Sequence, residues 1–373
     1  MLVGVPRETK DQEYRVGLTP ASVREVVAHG HQALVESGAG AGIGATDDDY
    51  RAAGAGVAAA ADEIFARAEL IVKVKEPTAP ERRRLRRGQV LFAYLHLAAD
   101  PGQARDLVAS GATCIAYETV TGPGGGLPLL APMSEIAGRM AVQAGAHCLE
   151  KARGGMGILP GGVAGVPPAK IAILGAGVVG SNAARMAVGS GAQVVVLDRD
   201  IDALRRIEAL FGARAVTVFS GRDTLEKHVL SADLVIGAVL IPGEAAPKLV
   251  TRELVRRMKP GAVLVDVSID QGGCFETSRP TTHSQPTYVL DGVVHYCVAN
   301  MPGGVPRTST FALNNATLPC VLALAGGYRD ALRRDPHLRA GLNVHEGRVT
   351  CREVAEALGY PWEDAGTVLA VAR

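Results

Sequence analysis

Lys170-Ile-Ala-Ile-Leu174, then Gly175-Ala176-Gly177-Val178-Val179-Gly180, then the Ala-rich stretch Ser181–Ser190 and the apolar run Gln193–Leu197 decide the fold. The order strand, glycine turn, helix, strand predicts a β-α-β unit and therefore a parallel sheet. In such a turn the first glycine allows the tight bend and the second lets backbone approach a pyrophosphate. The third lets the helix pack on the strand. The helix start turns free N–H groups and the positive end of its dipole toward an anion. Asp198 closes the second strand. Its carboxylate can accept from both ribose hydroxyls of an adenosine and would repel a 2′-phosphate. Arg199 beside it could serve a 2′-phosphate, and an ordinary tight turn with a surface Asp is the plain structural alternative. The context points to NAD. Two G-x-G-x-x-A matches, at 40–45 and 54–59, lack a strand immediately before and a helix immediately after.

Working outward, short β-branched runs alternate with amphipathic stretches. Strands are expected at Val3–Val5, Gln32–Glu36, Leu70–Val74, Val90–Leu95 and Thr113–Tyr117, with helices at Pro20–His29 and Ala104–Ser110. A Gly/Pro-rich stretch, Thr121–Pro132, precedes a helix expected over Ser134–Lys151, with Ser134 as its N-cap. Further strands are expected at Ala215–Phe219, Leu234–Val239, Val263–Val267 and Val293–Cys297, and a helix at Ser309–Ala325. The remainder reads as helix and turn. The fold class is α/β, with a nucleotide-type domain at 135–305 and a discontinuous second domain formed by 1–134 with 306–373.

The 373 residues are enough for about two domains. A balance of 39 Lys+Arg against 38 Asp+Glu gives no drive toward nucleic acid or anionic lipid, and an aromatic content of 4% leaves little for stacking on bases. No apolar run approaches the ~20 residues that span a bilayer, and the N-terminus lacks the apolar core of a secretory signal. A cytoplasmic protein is expected. The six cysteines never reach C-x-x-C spacing, so buried thiols are expected.

Ligands of open α/β sheets bind beyond the carboxyl ends of the strands, and several ionisable residues fall there. Lys73 and Lys75 stand at the end of Leu70–Glu76 and are expected to point to different faces. His96 follows Val90–Leu95, Asp270 follows Val263–Val267, and Arg15 lies in the loop after the first strand. Each type also has an ordinary structural role at such a place. Asp266, within its apolar run, reads as a structural hydrogen-bond acceptor, and the arginines of Arg82–Arg87 as a solvated face. No histidines fall at metal-ligand spacing.

Longer strings carry a resemblance. Val5-Pro-Arg-Glu8, Glu13-Tyr-Arg-Val-Gly-Leu-Thr-Pro20, Val74-Lys-Glu-Pro77, Ala131-Pro-Met-Ser-Glu-Ile-Ala-Gly-Arg139, Gly161-Gly-Val-Ala-Gly-Val-Pro-Pro-Ala-Lys170 and Val298-Ala-Asn-Met-Pro-Gly-Gly-Val-Pro-Arg-Thr-Ser-Thr310 resemble the alanine dehydrogenase family. The NAD-binding subunit of proton-translocating transhydrogenase shares part of this pattern. The resemblance covers essentially the whole chain. It implies two Rossmann-like, doubly wound parallel-sheet domains joined by long helices around a cleft, usually in a homohexamer. The implied reaction is reversible oxidative deamination of L-alanine to pyruvate and ammonia.

By the same resemblance, Arg15 and Lys75 match the ligands of the substrate carboxylate, and His96 and Asp270 the acid/base pair. NAD contacts map to Ser134, Asp198, Ser220, Val239, Leu240, Val267, Ser268, Ile269, Asp270, Arg279, Val298, Asn300 and Met301, beside the glycine turn. The chemistry suits these types. Arg offers a planar fork to a carboxylate and Lys a point charge, while His exchanges protons near neutral pH. Ala203 stands where some members carry a basic residue. Glu118 is present, but the histidine that accompanies it in metal-binding members falls at Gly326-Gly327, so no metal is expected. A saccharopine-type secondary-amine dehydrogenase, the transhydrogenase subunit and a catalytically dead NAD-binding protein are the rivals. Retention of Arg15, Lys75, His96 and Asp270 argues against the last two.

Overall fold

A computed structural model describes residues 1–239 and 246–370. It divides into two compact units, one formed by 1–132 with 305–373 and the other by 133–304. The chain passes between them at the starts of two long helices, Ala131–Cys148 and Pro306–Ala325.

The first unit opens with six strands: β1 Leu2–Val5, β2 Gln32–Glu36, β3 Gly56–Ala58, β4 Leu70–Val72, β5 Val90–Ala93 and β6 Thr113–Ala116. The second unit contains β7 Lys170–Leu174, β8 Gln193–Asp198, β9 Ala215–Phe219, β10 Leu234–Gly237, β11 Val263–Asp266, β12 Thr287–Leu290 and β13 Val293–Tyr296. The returning chain adds β14 Leu342–His345 and β15 Arg348–Val349 to the first unit.

The sheet of the second unit has the order β12-β13-β11-β10-β7-β8-β9. Every pairing is parallel except that of β12 with β13. Period-two alternation explains why both faces are covered. Ile171 and Ile173 of β7 join a core with Ala183, Ala184 and Ile207 from the helices on one face. Ala172 and Leu174 pack with Leu225, Val229 and Val255 on the other. The first unit repeats the plan, with the order β15-β14-β6-β5-β4-β1-β2-β3 and antiparallel strands only at β14 and β15. Both are doubly wound α/β folds. In each, the strand order reverses beside the first strand, between β1 and β4 and between β7 and β10, which is where such sheets hold ligands.

Three expectations are corrected. The residues after Ala325 are not solely helix and turn, because β14 and β15 form a hairpin on the edge of β6. Leu342 and Val344 alternate with Asn343 and His345, but the polar pair is buried as well, bonded to Thr119 and Thr113, so all four residues of this short strand are covered. The parallel sheet of the second unit gains β12 through the turn Asp291-Gly292, both at positive φ. Ser134 is not an N-cap. The helix starts at Ala131, because Pro132 is tolerated in a first turn where its missing N–H costs nothing.

Candidate active site

In the first unit the loop after β1 carries Glu8, whose carboxylate folds back onto the end of β4. Glu8, 7% exposed, accepts the backbone N–H groups of Val74 (2.7 Å) and Lys75 (3.3 Å) on one oxygen. Its other oxygen meets the Lys73 ammonium at 3.1 Å. Lys73 is 1% exposed and also donates to Glu81 at 2.9 Å. Burial pulls the Lys73 ammonium down, but the two carboxylates outweigh it and hold the group above its ordinary range. Lys75 is half-buried with Glu76 at 3.6 Å. Two residues apart in a strand, these lysines would share a face. Instead β4 ends at Val72 and the chain bends at Val74 and Lys75, and that bend, not alternation, separates an enclosed lysine from a more accessible one.

Arg15 is 2% exposed, and its Nε and Nη2 donate to the two Glu13 oxygens at 2.6 and 2.5 Å. The fork expected for a substrate carboxylate is therefore held by Glu13 in this structure. Burial opposes the charge, but the Glu13 carboxylate overcomes it and raises the guanidinium above its ordinary range. Gly17 brings this loop against β4, where a Cβ would lie 2.4 Å from the Val72 carbonyl oxygen.

His96 sits just beyond β5 in the left-handed conformation (φ 49°), unusual for a side-chain-bearing residue. Glu118 fixes it there by accepting the backbone N–H of His96 at 2.6 Å and that of Leu95 at 3.2 Å. The imidazole is half exposed, stacked on Tyr94 (centroids 5.9 Å apart, 4° between planes), with Nδ1 3.9 Å from Glu118. Tyr94 donates its hydroxyl to the Leu129 carbonyl, and burial raises its phenol. Glu8, Glu13 and Tyr94 were missed as site-shaping residues. Glu8 and Glu13 do stand inside the strings that carry the resemblance.

In the second unit the glycine turn joins β7 to the helix Val178–Gly189. Gly175 (φ 109°) lies against the Ala238 carbonyl, and a Cβ on Gly180 would fall 1.8 Å from the Gly175 carbonyl oxygen. Packing demands both. A Cβ on Gly177 would meet nothing within 4 Å, so the fold makes no demand there. Val178 is exposed and Val179 half-buried in the first turn of the helix. Asp198 accepts the N–H of Ala176 at 2.6 Å and of Asp200 at 2.9 Å, tying the turn to the end of β8. The carbonyl of Asp198 accepts from the N–H of Ser220.

Around the same sheet edge, Val239 follows β10, and its carbonyl accepts the Ser268 hydroxyl at 2.7 Å. Leu240 lies outside the described residues. Val267, Ser268, Ile269 and Asp270 form a 3₁₀ turn after β11, with Asp270 exposed. Asp266 before them is fully buried. It accepts from Ser278 Oγ (2.5 Å) and from the backbone N–H groups of Ser268, Cys274 and Phe275. That is a structural role. Arg279 lies over the Tyr288 ring at 4.2 Å. Val298 and Met301 are buried, and Asn300 (φ 64°) offers its carbonyl to His283. Ser134 is half-buried in the first turn of its helix. Ala203 is buried near the start of its helix, behind the Asp200 cap.

Among the described residues no helix is long and apolar enough to cross a membrane. No disulfide links the six cysteines, of which five are buried.

Family models match both parts of the chain: "Alanine dehydrogenase/PNT, N-terminal domain" over 4–137 and "Alanine dehydrogenase/PNT, C-terminal domain" over 141–352. An alanine dehydrogenase of Halomonas elongata is 60% identical over 99% of this chain and 100% of that protein. A solved L-alanine dehydrogenase superposes with a TM-score of 0.94 at 51% identity, covering 96% of this chain and 99% of that one. A transhydrogenase from Sinorhizobium meliloti gives 0.80 at 28% identity, covering 94% and 98%.

Proposed function

The chain belongs to the alanine dehydrogenase/PNT family, and from that premise we propose that it interconverts L-alanine with pyruvate and ammonia, using NAD. The observation that carries this reading is the 60% identity to an alanine dehydrogenase over the whole length of both proteins, against 28% to the transhydrogenase.

The second unit suits a dinucleotide. Its N–H-bearing helix start, the open space at Gly177 and the carboxylate of Asp198 stand together at the reversal point of the sheet. Each Asp198 oxygen holds one backbone N–H and keeps a lone pair for a ribose hydroxyl. Ser134, Ser220, Val239, Val267, Ser268, Ile269, Arg279, Val298, Asn300 and Met301 are proposed as further contacts. When bound, NAD supplies the acceptor for the hydride of the substrate Cα.

The chain's own groups then bind and move protons. Arg15 is proposed to bind the substrate carboxylate, its guanidinium kept charged and oriented by Glu13. Lys75 adds a point charge at the substrate oxygen, from a backbone position that Glu8 fixes. His96 is proposed to take a proton at an imidazole nitrogen as water adds to the substrate carbon. It returns the proton as ammonia leaves. Asp270 is proposed to share that traffic and to balance developing positive charge. A homohexamer is carried forward on the family likeness, to be read by light scattering.

The test is NADH oxidation by pyruvate with and without ammonium, beside a parallel run with NADPH. Ammonium-dependent loss of NADH, with NADPH poor, is the expected result. Turnover without ammonium makes the protein a keto-acid reductase. Binding of NADH without turnover places it with the transhydrogenase-type modules.

The glycine turn gives a separate prediction. Gly177→Ala folds with unchanged stability but weakens NADH by about tenfold, roughly 1.4 kcal/mol, because the new methyl occupies space kept for the pyrophosphate. Gly180→Ala destabilises the second unit by about 1–3 kcal/mol, since its methyl meets a backbone carbonyl that cannot yield. Fluorescence titration and urea unfolding of both variants check this. Equal stability of the two would contradict it.

A further inference from the structure

We propose that the second unit holds another ligand site, at the amino-terminal edge of its sheet, for a small organic phosphate or carboxylate with an apolar body. A cavity of about 590 Å³ opens there, bounded by the starts of β7 and β8, the entry to β9 and the last turns of the helix Arg222–Ser231. Its volume is that of an ordinary small-molecule site. It is not the dinucleotide site. Lys170 and Gln193 begin strands whose other ends carry the glycine turn and Asp198, about 15 Å away by strand rise.

The lining has two characters. Ile171, Ala172, Val194 and Ala232 give a buried apolar floor, while Lys170, Arg214, Lys227 and His228 supply cationic or protonatable groups around it. None of the lining side chains is acidic. The carboxylates nearby are spent elsewhere. Asp233 accepts the backbone N–H of Lys170 at 2.8 Å and the Lys259 ammonium at 2.6 Å, and Glu226 pairs with Arg257 at 2.6 Å. Lys259 also covers the Ser231 carbonyl at the helix end, which would otherwise repel an anion. Among the described residues, Lys170, Arg214 and Lys227 have no carboxylate partner. Burial, then the charges of Lys227 and Lys170, hold the His228 imidazole below its ordinary range, as expected where positive potential collects. An anion seated among these groups relieves their mutual repulsion, and the floor takes the apolar body. That pairing distinguishes the site from a plain basic patch.

The experiment is calorimetric titration of the full chain with phenyl phosphate, alone and with saturating NADH. Inorganic phosphate and benzyl alcohol serve as the charge-only and ring-only probes. The expected result is phenyl phosphate binding that persists with NADH present and exceeds that of inorganic phosphate at least tenfold. Benzyl alcohol gives no measurable binding. Arg214→Ser/Lys227→Ser, both at exposed positions, weakens phenyl phosphate at least tenfold while leaving NADH affinity and the circular dichroism spectrum unchanged. Binding that NADH abolishes and the double variant retains would place the anion at the glycine turn and overturn the proposal. Absence of phenyl phosphate binding, or equal affinity for inorganic phosphate, would overturn it as well. Because binding is read directly, these outcomes are separate from success or failure of the ammonium-dependent assay.

Discussion

Lys73→Ala is expected to cost about 3–5 kcal/mol of stability, because it strands two buried carboxylates. Glu8 and Glu81 are 7% and 3% exposed, and Lys73 is the ammonium that faces both. Burial already pushes the Glu8 carboxyl up, with the Lys73 charge opposing that shift. Removing the lysine leaves the burial cost without its compensation. Urea unfolding followed by circular dichroism reads the loss. A second variant, Lys73→Met with Glu8→Gln and Glu81→Gln, is expected to recover most of it, since neutral amides can be buried with their hydrogen bonds. Lys75→Ala, two residues away, is expected to leave stability within about 0.5 kcal/mol, as for surface positions generally, and to lower kcat/KM instead. Loss of stability in Lys75→Ala with none in Lys73→Ala would reverse the assignment of the two lysines.

His96→Ala is expected to lower kcat by roughly 10²–10⁴-fold, the usual span for a general acid/base, with NADH binding within about twofold of the parent. The ring is half exposed, and its backbone N–H rather than its imidazole makes the 2.6 Å bond to Glu118. Truncation should therefore spare the fold and the left-handed turn. Steady-state rates of pyruvate amination, with NADH fluorescence and thermal unfolding as controls, decide it. A fall of less than about tenfold would take the acid/base role from His96.

Much of this was legible in the order of residues. The unbroken apolar runs in Lys170–Leu174 and Gln193–Leu197 announced strands buried on both faces, and the glycine turn between them announced a β-α-β unit of the dinucleotide-binding type. The Lys73/Lys75 spacing misled, since positions two apart in a strand share a face. The two ammonium groups part company because β4 ends at Val72 and the chain bends after it. Which one is buried depends on Glu8 and Glu81, which approach β4 from a loop and a short helix. The hairpin of β14 and β15 was missed although Leu342 and Val344 alternate with Asn343 and His345, because a run of four residues is too short to decide a strand. Its polar pair is satisfied inside the fold by Thr119 and Thr113, more than 200 residues earlier in the chain, and local pattern is blind to such bonds. The Asp291-Gly292 turn did carry a hairpin signal, of the kind that positive φ at both residues demands.

The sequence by itself determined the α/β class, the repeated strand-helix alternation, the glycine turn and the family. These rest on local periodicity, on backbone positions that only glycine tolerates, and on long matched strings. The tertiary structure decided which charges stay accessible and which are enclosed within the fold. Arg15 is clasped by Glu13, Lys73 is enclosed by two carboxylates, Asp266 is saturated by its neighbours, and His96 is held open at the end of β5. A side chain's charge, access and orientation are fixed by groups distant in sequence, through burial and hydrogen bonding, and those exist only once the chain has folded.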